Sequence, residues 1–122
     1  MQMPSLPLAY IGYMDGASRH TWHIASAAWV IYTHESELFC SEGVFLGTTT
    51  NNIAEYMSVI SLLNEASSWD ISNLVVRLYS QLVIMQLKNH YHIRNPIFLC
   101  HYLRVRLLER QFEFIKYEHI PQ

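Results

Sequence analysis

Charge is sparse in this 122-residue chain: Asp, Glu, Lys and Arg make up 15% of it, and eight Lys and Arg against ten Asp and Glu leave a formal net charge of −2. That balance excludes a uniformly basic surface of the kind that marks many nucleic-acid-binding domains, and leaves room only for a local patch. Cysteine is nearly absent. Cys40 and Cys100 stand alone with no CxxC pair, so neither a disulfide framework nor a thiolate metal cluster can form, and both are expected as small buried hydrophobes in a reducing compartment. Apolar runs are broken by Gln, Lys, Asn or Arg well short of the roughly 18 residues that an ordinary transmembrane helix needs. With no membrane partner expected, an intracellular setting, cytoplasmic or nuclear, follows. Met1–Pro7 carries no basic segment and reads as a flexible lead, not a targeting signal.

Hydrophobic residues reach 51%, enough to supply a core and to exclude disorder, and the length suits one domain over residues 8–122. Leu8–Met14 is an apolar, aromatic run stopped by Asp15-Gly16, the pattern of a buried strand and a tight turn. Ile24–Thr33 and Leu38–Leu46 repeat strand composition around the polar His34–Glu37, which predicts an antiparallel meander of three strands. The period then changes. Thr50 can cap a helix starting near Asn51, along which Tyr56, Ile60 and Leu63 recur at helical spacing. Asn73–Tyr79 reads as a strand, Ser80 as the cap of a short helix to Lys88, Asn95-Pro96 as the opening of a helix over Ile97–Arg110, and Phe112–Ile120 as a last strand. The order βββαβααβ predicts a mixed sheet with helical cover.

Two carboxylates stand out by position. Asp15 ends the first predicted strand, where it is either a turn residue or a metal ligand with a rigid base and open space above it. Glu55 shares the stripe 55, 59, 62 with Val59 and Leu62 and so turns inward. A buried carboxylate must be compensated. Its partner is a cation, which with Asp15 gives a Mg²⁺ site, or else backbone donors or an arginine such as Arg19 or Arg77.

Taken together, Tyr13-Met14-Asp15-Gly16-Ala17-Ser18, Ala28-Trp29-Val30-Ile31 and Thr50-Asn51-Asn52-Ile53-Ala54-Glu55-Tyr56 resemble the type I ribonuclease H domain. Leu74–Val83, Leu103–Arg110 and His119-Ile120-Pro121 are similar to the form found in plant long-terminal-repeat retrotransposon polyproteins. The resemblance implies an α/β, RNase H-like fold with a mixed five-stranded sheet, its first three strands antiparallel, and helices on its faces. It also implies hydrolysis of the RNA strand of an RNA–DNA hybrid by two Mg²⁺ or Mn²⁺ ions held by four carboxylates, and a reverse transcriptase domain as a possible neighbour in a longer parent. Asp15 and Glu55 match the first two carboxylates. The resemblance assigns Thr50 and Asn51 to the substrate backbone, and Asn52 and Gln81 to its minor groove, although Thr50 and Asn51 serve equally as helix caps.

Two departures bear on the chemistry. Tyr79 stands where the third carboxylate belongs, and the fourth belongs to a closing helix beyond the His-Ile-Pro segment, so the domain is expected to lack that helix. A phenol with a pKa of about 10 is neutral at pH 7 and replaces an anionic ligand poorly, and two-ion hydrolysis depends on clustered negative charge. Weak metal binding and impaired cleavage are therefore expected. The competing expectation is a non-catalytic module that binds nucleic acid or protein. Trp22, between His20 and His23, suits stacking on a sugar or base as well as it suits an ordinary surface loop, and the two histidines lack the cysteines or helical context of a zinc site. Phe98, Leu99, Tyr102, Leu103 and Leu107 are expected to bury against the sheet, leaving Arg104, Arg106 and Arg110 on two exposed faces.

Overall fold

The computed structural model describes residues 8–14, 17–19, 24–48 and 50–121. Asp15, Gly16 and His20–His23, and with them the turn, metal and stacking expectations, lie outside the described residues, as does the lead Met1–Pro7. The elements are β1 (Tyr10–Met14), β2 (Ala17–Arg19), β3 (Ile24–Tyr32), β4 (Leu38–Thr48), α1 (Asn51–Ser68), β5 (Asn73–Leu78), α2 (Gln81–Leu87), α3 (Pro96–Glu109) and β6 (Phe114–His119). The predicted order is recovered, with Ala17–Arg19 as one additional short strand.

All the strands join one sheet. β3 pairs antiparallel with β4 on one side and with both β1 and β2 on the other; β1 runs parallel to β5, and β5 parallel to β6. β1 and β2 keep a common register on β3, with Met14 opposite Trp29 and Ala17 opposite Ser26. They therefore occupy a single position in the sheet, which has the five positions of the expected mixed architecture.

The helices start where the sequence supplies caps. Side-chain oxygens of Thr50, Ser80 and Asn95 accept from backbone N–H groups in the first turns of α1, α2 and α3, and Pro96 opens α3, a position where its missing N–H is no loss. Beyond the end of α1, Asp70 stands in the left-handed region at φ 57°. The Asp70 and Ile71 N–H groups return to the carbonyls of Ser67 and Ala66 at 3.0 and 3.1 Å, the paired closure of a Schellman motif, and Ile71 buries behind it.

Alternation puts Met14, Trp29, Ile31, Leu74, Val76 and Leu78 on one face, where they form a single buried cluster with Val59, Leu62 and Leu63 of α1 and Val83, Ile84 and Leu87 of α2. Gly12 permits close contact between α1 and β1, because a Cβ there would lie 2.7 Å from a Leu62 methyl. Trp29 Nε1 donates to Ser61 Oγ at 2.9 Å and satisfies the one polar group of a buried indole. On the other face Ile11, Tyr13, Val30, Tyr32 and Tyr79 line a shallow cavity of about 390 Å³. There the Tyr13 ring meets Tyr32 edge to face at 5.8 Å and the Arg77 guanidinium at 5.2 Å.

α3 departs from expectation. It packs on α1 through Val105, Phe98 and His101, with the last two rings 6.1 and 6.0 Å from Tyr56, while Leu99, Leu103 and Leu107 are 39%, 51% and 60% exposed. Apolar residues encircle this helix, so its pattern alone did not select the docking face; the polar anchors did. Arg106 turns inward to donate to Glu109 at 2.6 Å, to the Leu87 carbonyl and to Asn89 at 3.2 Å, and Tyr117 donates to the same Glu109 carboxylate at 2.6 Å. The cysteine expectation also needs correction, since Cys100, within α3, is exposed and Cys40, within β4, only half-buried. No helix among the described residues is long and apolar enough to cross a membrane.

Candidate active site and nucleic-acid interface

Parallel pairing of β1 with β5, Tyr13 beside Arg77, and of β5 with β6, Leu78 beside His119, brings three strand ends to one edge of the sheet. The first turns of α1 and α2 meet at that edge. Glu55, on the buried stripe anticipated from its spacing, is 7% exposed. Its Oε1 accepts the Tyr79 N–H at 3.0 Å and its Oε2 accepts the Ser80 N–H. Of the partners the spacing left open, backbone donors are present among the described residues. Arg77 instead serves Glu118 at 3.0 Å on the far face of the sheet.

Asn52 lies one turn before Glu55 on the same side of α1. Its Oδ1 accepts from Ser80 Oγ at 2.7 Å, and Ser80 Oγ in turn caps α2 by accepting from the Val83 N–H at 3.1 Å. From β6, His119 Nε2 lies 3.2 Å from the Tyr79 carbonyl oxygen, and the Ile120 N–H donates to the Leu78 carbonyl at 2.7 Å. Burial pushes the Glu55 carboxyl above its ordinary value, opposed by the Tyr79 and Ser80 N–H groups, the Ser80 hydroxyl and the His119 charge. Thr50, Asn51 and Gln81 are exposed around this group.

Asn52, Glu55, Tyr79 and Gln81 are thus brought together, and Thr50 and Asn51 border them. Asp15 lies outside the described residues. Sequence reasoning anticipated Ser80 as a cap but not as the donor that fixes Asn52, and it did not find His119 as a neighbour of Tyr79. The pairing of the last strand with Asn73–Leu78 was the signal that would have found it. Tyr79 follows the buried Leu78, so alternation sends its side chain to the opposite face, into the cavity with Tyr13 and Tyr32.

This donor set can be tested against a pair of divalent ions. Among the described residues no group of three or more His, Cys, Asp or Glu side chains is placed to hold a metal. Among the described residues the carboxylate at this edge is Glu55, whose two oxygens accept from the Tyr79 and Ser80 N–H groups, while the Tyr79 side chain points into the cavity on the other face. The described residues do not fit a two-ion site.

The family described as reverse transcriptase-like matches residues 13–122. The chain belongs to this family. A ribonuclease HI of Halobacterium salinarum is 31% identical over 110 residues, which cover 90% of the chain and 55% of that protein. A bifunctional protein of Mycobacterium tuberculosis is 30% identical over 109 residues, 88% of the chain and 30% of that protein. The chain therefore spans only part of the curated relatives it matches. The crystal structure of RNase H1 from H. salinarum superposes with a TM-score of 0.86 at 30% identity, covering 93% of this chain and 86% of that one. The N-terminal RNase H domain from M. tuberculosis gives 0.87 at 27% identity, covering 95% and 84%. The reverse transcriptase-like chain has the ribonuclease H fold.

Proposed function

We propose that this chain is a ribonuclease H-type domain that grips an RNA–DNA hybrid at the shared strand edge and whose hydrolysis of the RNA strand is impaired. The observation that carries the reading is the strand edge itself, where Glu55 and Asn52 from α1 meet Tyr79 and Ser80 at the end of β5. A structure of similar fold, the LC11-RNase H1 complex, is described as holding an RNA/DNA hybrid, at a TM-score of 0.83. The exposed hydroxyl of Thr50 and the amides of Asn51, Asn52 and Gln81 can donate to phosphate or to a 2′-OH. Asp15 and Glu55 are the two retained carboxylates for Mg²⁺ or Mn²⁺, which would supply an activated water. Tyr79 and the clasped state of Glu55 argue for weak occupancy. The plant retrotransposon form, with a reverse transcriptase domain in a longer parent, is the lineage the motifs favour, and a foamy viral protease-reverse transcriptase of related fold is an example of such fusion.

The engaged state of Glu55 also favours a second reading, a non-catalytic module that retains the fold for binding. One experiment separates the two. End-labelled hybrid is incubated with the chain in Mg²⁺ and in Mn²⁺ beside Asp15→Ala and Tyr79→Asp, and hybrid binding is titrated over increasing salt. Slow cleavage lost in Asp15→Ala and raised in Tyr79→Asp supports an impaired nuclease. Salt-sensitive hybrid binding without cleavage in any variant supports the module. Absence of binding overturns both.

A further inference from the structure

We infer that Glu55 acts in this chain as an internal clasp, its carboxylate holding the exit of β5 against α1 so that folding depends on it without any cation. The inference stands apart from the proposed function, since it concerns what the carboxylate does in the free protein.

The geometry is that of a grip. The Tyr79 and Ser80 N–H groups are consecutive, and each meets its own oxygen of one carboxylate. One turn earlier on the same helix face, Asn52 takes the Ser80 hydroxyl at 2.7 Å. Two side chains of α1 therefore hold two successive residues at a point where the chain stops being strand and has not yet become helix. Among the described residues these two donors have no partner other than the Glu55 carboxylate, and a donor left unpaired in a half-buried position is costly. From the opposite side, β6 holds the same exit through His119 at the Tyr79 carbonyl and Ile120 at the Leu78 carbonyl.

Burial points the same way. Glu55 is 7% exposed and sits in a helix row with Val59 and Leu62, both fully buried. A carboxylate in such a row must be compensated, and the two backbone N–H groups supply that compensation. Ordinary strand-to-helix turns manage with a capping hydroxyl such as Ser80; here the carboxylate is added because the turn must also be tied to the helix packed beside it. A carboxylate held open for an ion behaves differently, since like charges gathered for a metal repel in its absence and their neutralisation stabilises the fold.

The test is the thermal midpoint of the chain, Glu55→Gln and Glu55→Ala, each in chelator and in excess Mg²⁺. Glutamine keeps the shape but turns an NH₂ toward one of the two donors. The clasp predicts that Glu55→Gln melts roughly 5 °C or more below the parent, by the same amount in both solutions. A Glu55→Gln chain that melts at or above the parent in chelator overturns it, as does a parent midpoint that Mg²⁺ raises and Glu55→Gln makes insensitive. Should the variants not fold, hydrogen exchange of the parent in chelator decides: slow exchange at the Tyr79 and Ser80 amides supports the clasp, and exchange at exposed-loop rates refutes it.

Discussion

Replacing Gly12 by alanine tests the contact that sets α1 on the sheet. The added Cβ would stand 2.7 Å from one Leu62 methyl and 3.1 Å from the other, against an ordinary carbon–carbon separation of about 3.5–4.0 Å. Leu62 cannot swing away, because it is fully buried among Val59, Leu63 and Ala66, which are fully buried too. Overpacking of this kind costs about 1–3 kcal/mol, and the stiffer unfolded chain returns about 0.4–1 kcal/mol. A net loss of about 1–2 kcal/mol lowers the thermal midpoint by roughly 3–10 °C for a domain of this size. Circular dichroism melts of the parent, Gly12→Ala, Leu62→Ala and the double variant form a cycle. The strain belongs to the Leu62 side chain, so in the Leu62→Ala background the Gly12→Ala change should cost nothing. A Gly12→Ala chain as stable as the parent, or a cost that survives removal of Leu62, would refute the close approach.

Ser61→Ala leaves the buried Trp29 indole N–H without its acceptor and should cost about 1–3 kcal/mol, read from urea midpoints together with a shift in tryptophan emission. The Arg77 hydrogen bond holds the Glu118 carboxyl below its ordinary value, so the unfolded chain takes up that proton first as pH falls. The pair's stabilisation is complete above the unfolded value near 4.5 and is lost as pH drops through the lower folded value. Arg77→Met should therefore flatten the acid side of a stability–pH profile; Glu55, shifted the other way, is common to both proteins and cancels, and identical acid limbs would refute the pairing. On α3, Leu103→Glu should change stability by less than about 0.5 kcal/mol, while Val105→Ala should cost about 2 kcal/mol; the reverse order in chemical denaturation would show that the docking face is misassigned.

What the sequence disclosed depended on whether the deciding interaction was local. The inward turn of Glu55 was legible because residues 55, 59 and 62 share one helical period, and Thr50, Ser80 and Asn95 announced helix starts because a cap bonds within its own first turn. The partners of Glu55 were not legible. They are backbone N–H groups 24 and 25 residues away, and every non-proline residue carries the same donor. α3 failed for a different reason: with leucine on one side and valine, phenylalanine and tyrosine on the other, hydrophobicity had no preferred direction. Its orientation followed from Arg106, Glu109, Asn89 and Tyr117, a polar knot joining three segments that no single window of sequence contains.

The common register of β1 and β2 on β3 makes β3 a ruler for the segment between them. Met14 and Ala17 sit opposite Trp29 and Ser26, so the number of residues in that gap is dictated by a neighbouring strand and not by the gap's own composition. Adding or deleting one residue would slide Ala17–Arg19 by one place and exchange its two faces. The length of the gap is therefore constrained from outside it, and descendants of this chain should keep two residues between Met14 and Ala17 whatever other segments gain or lose.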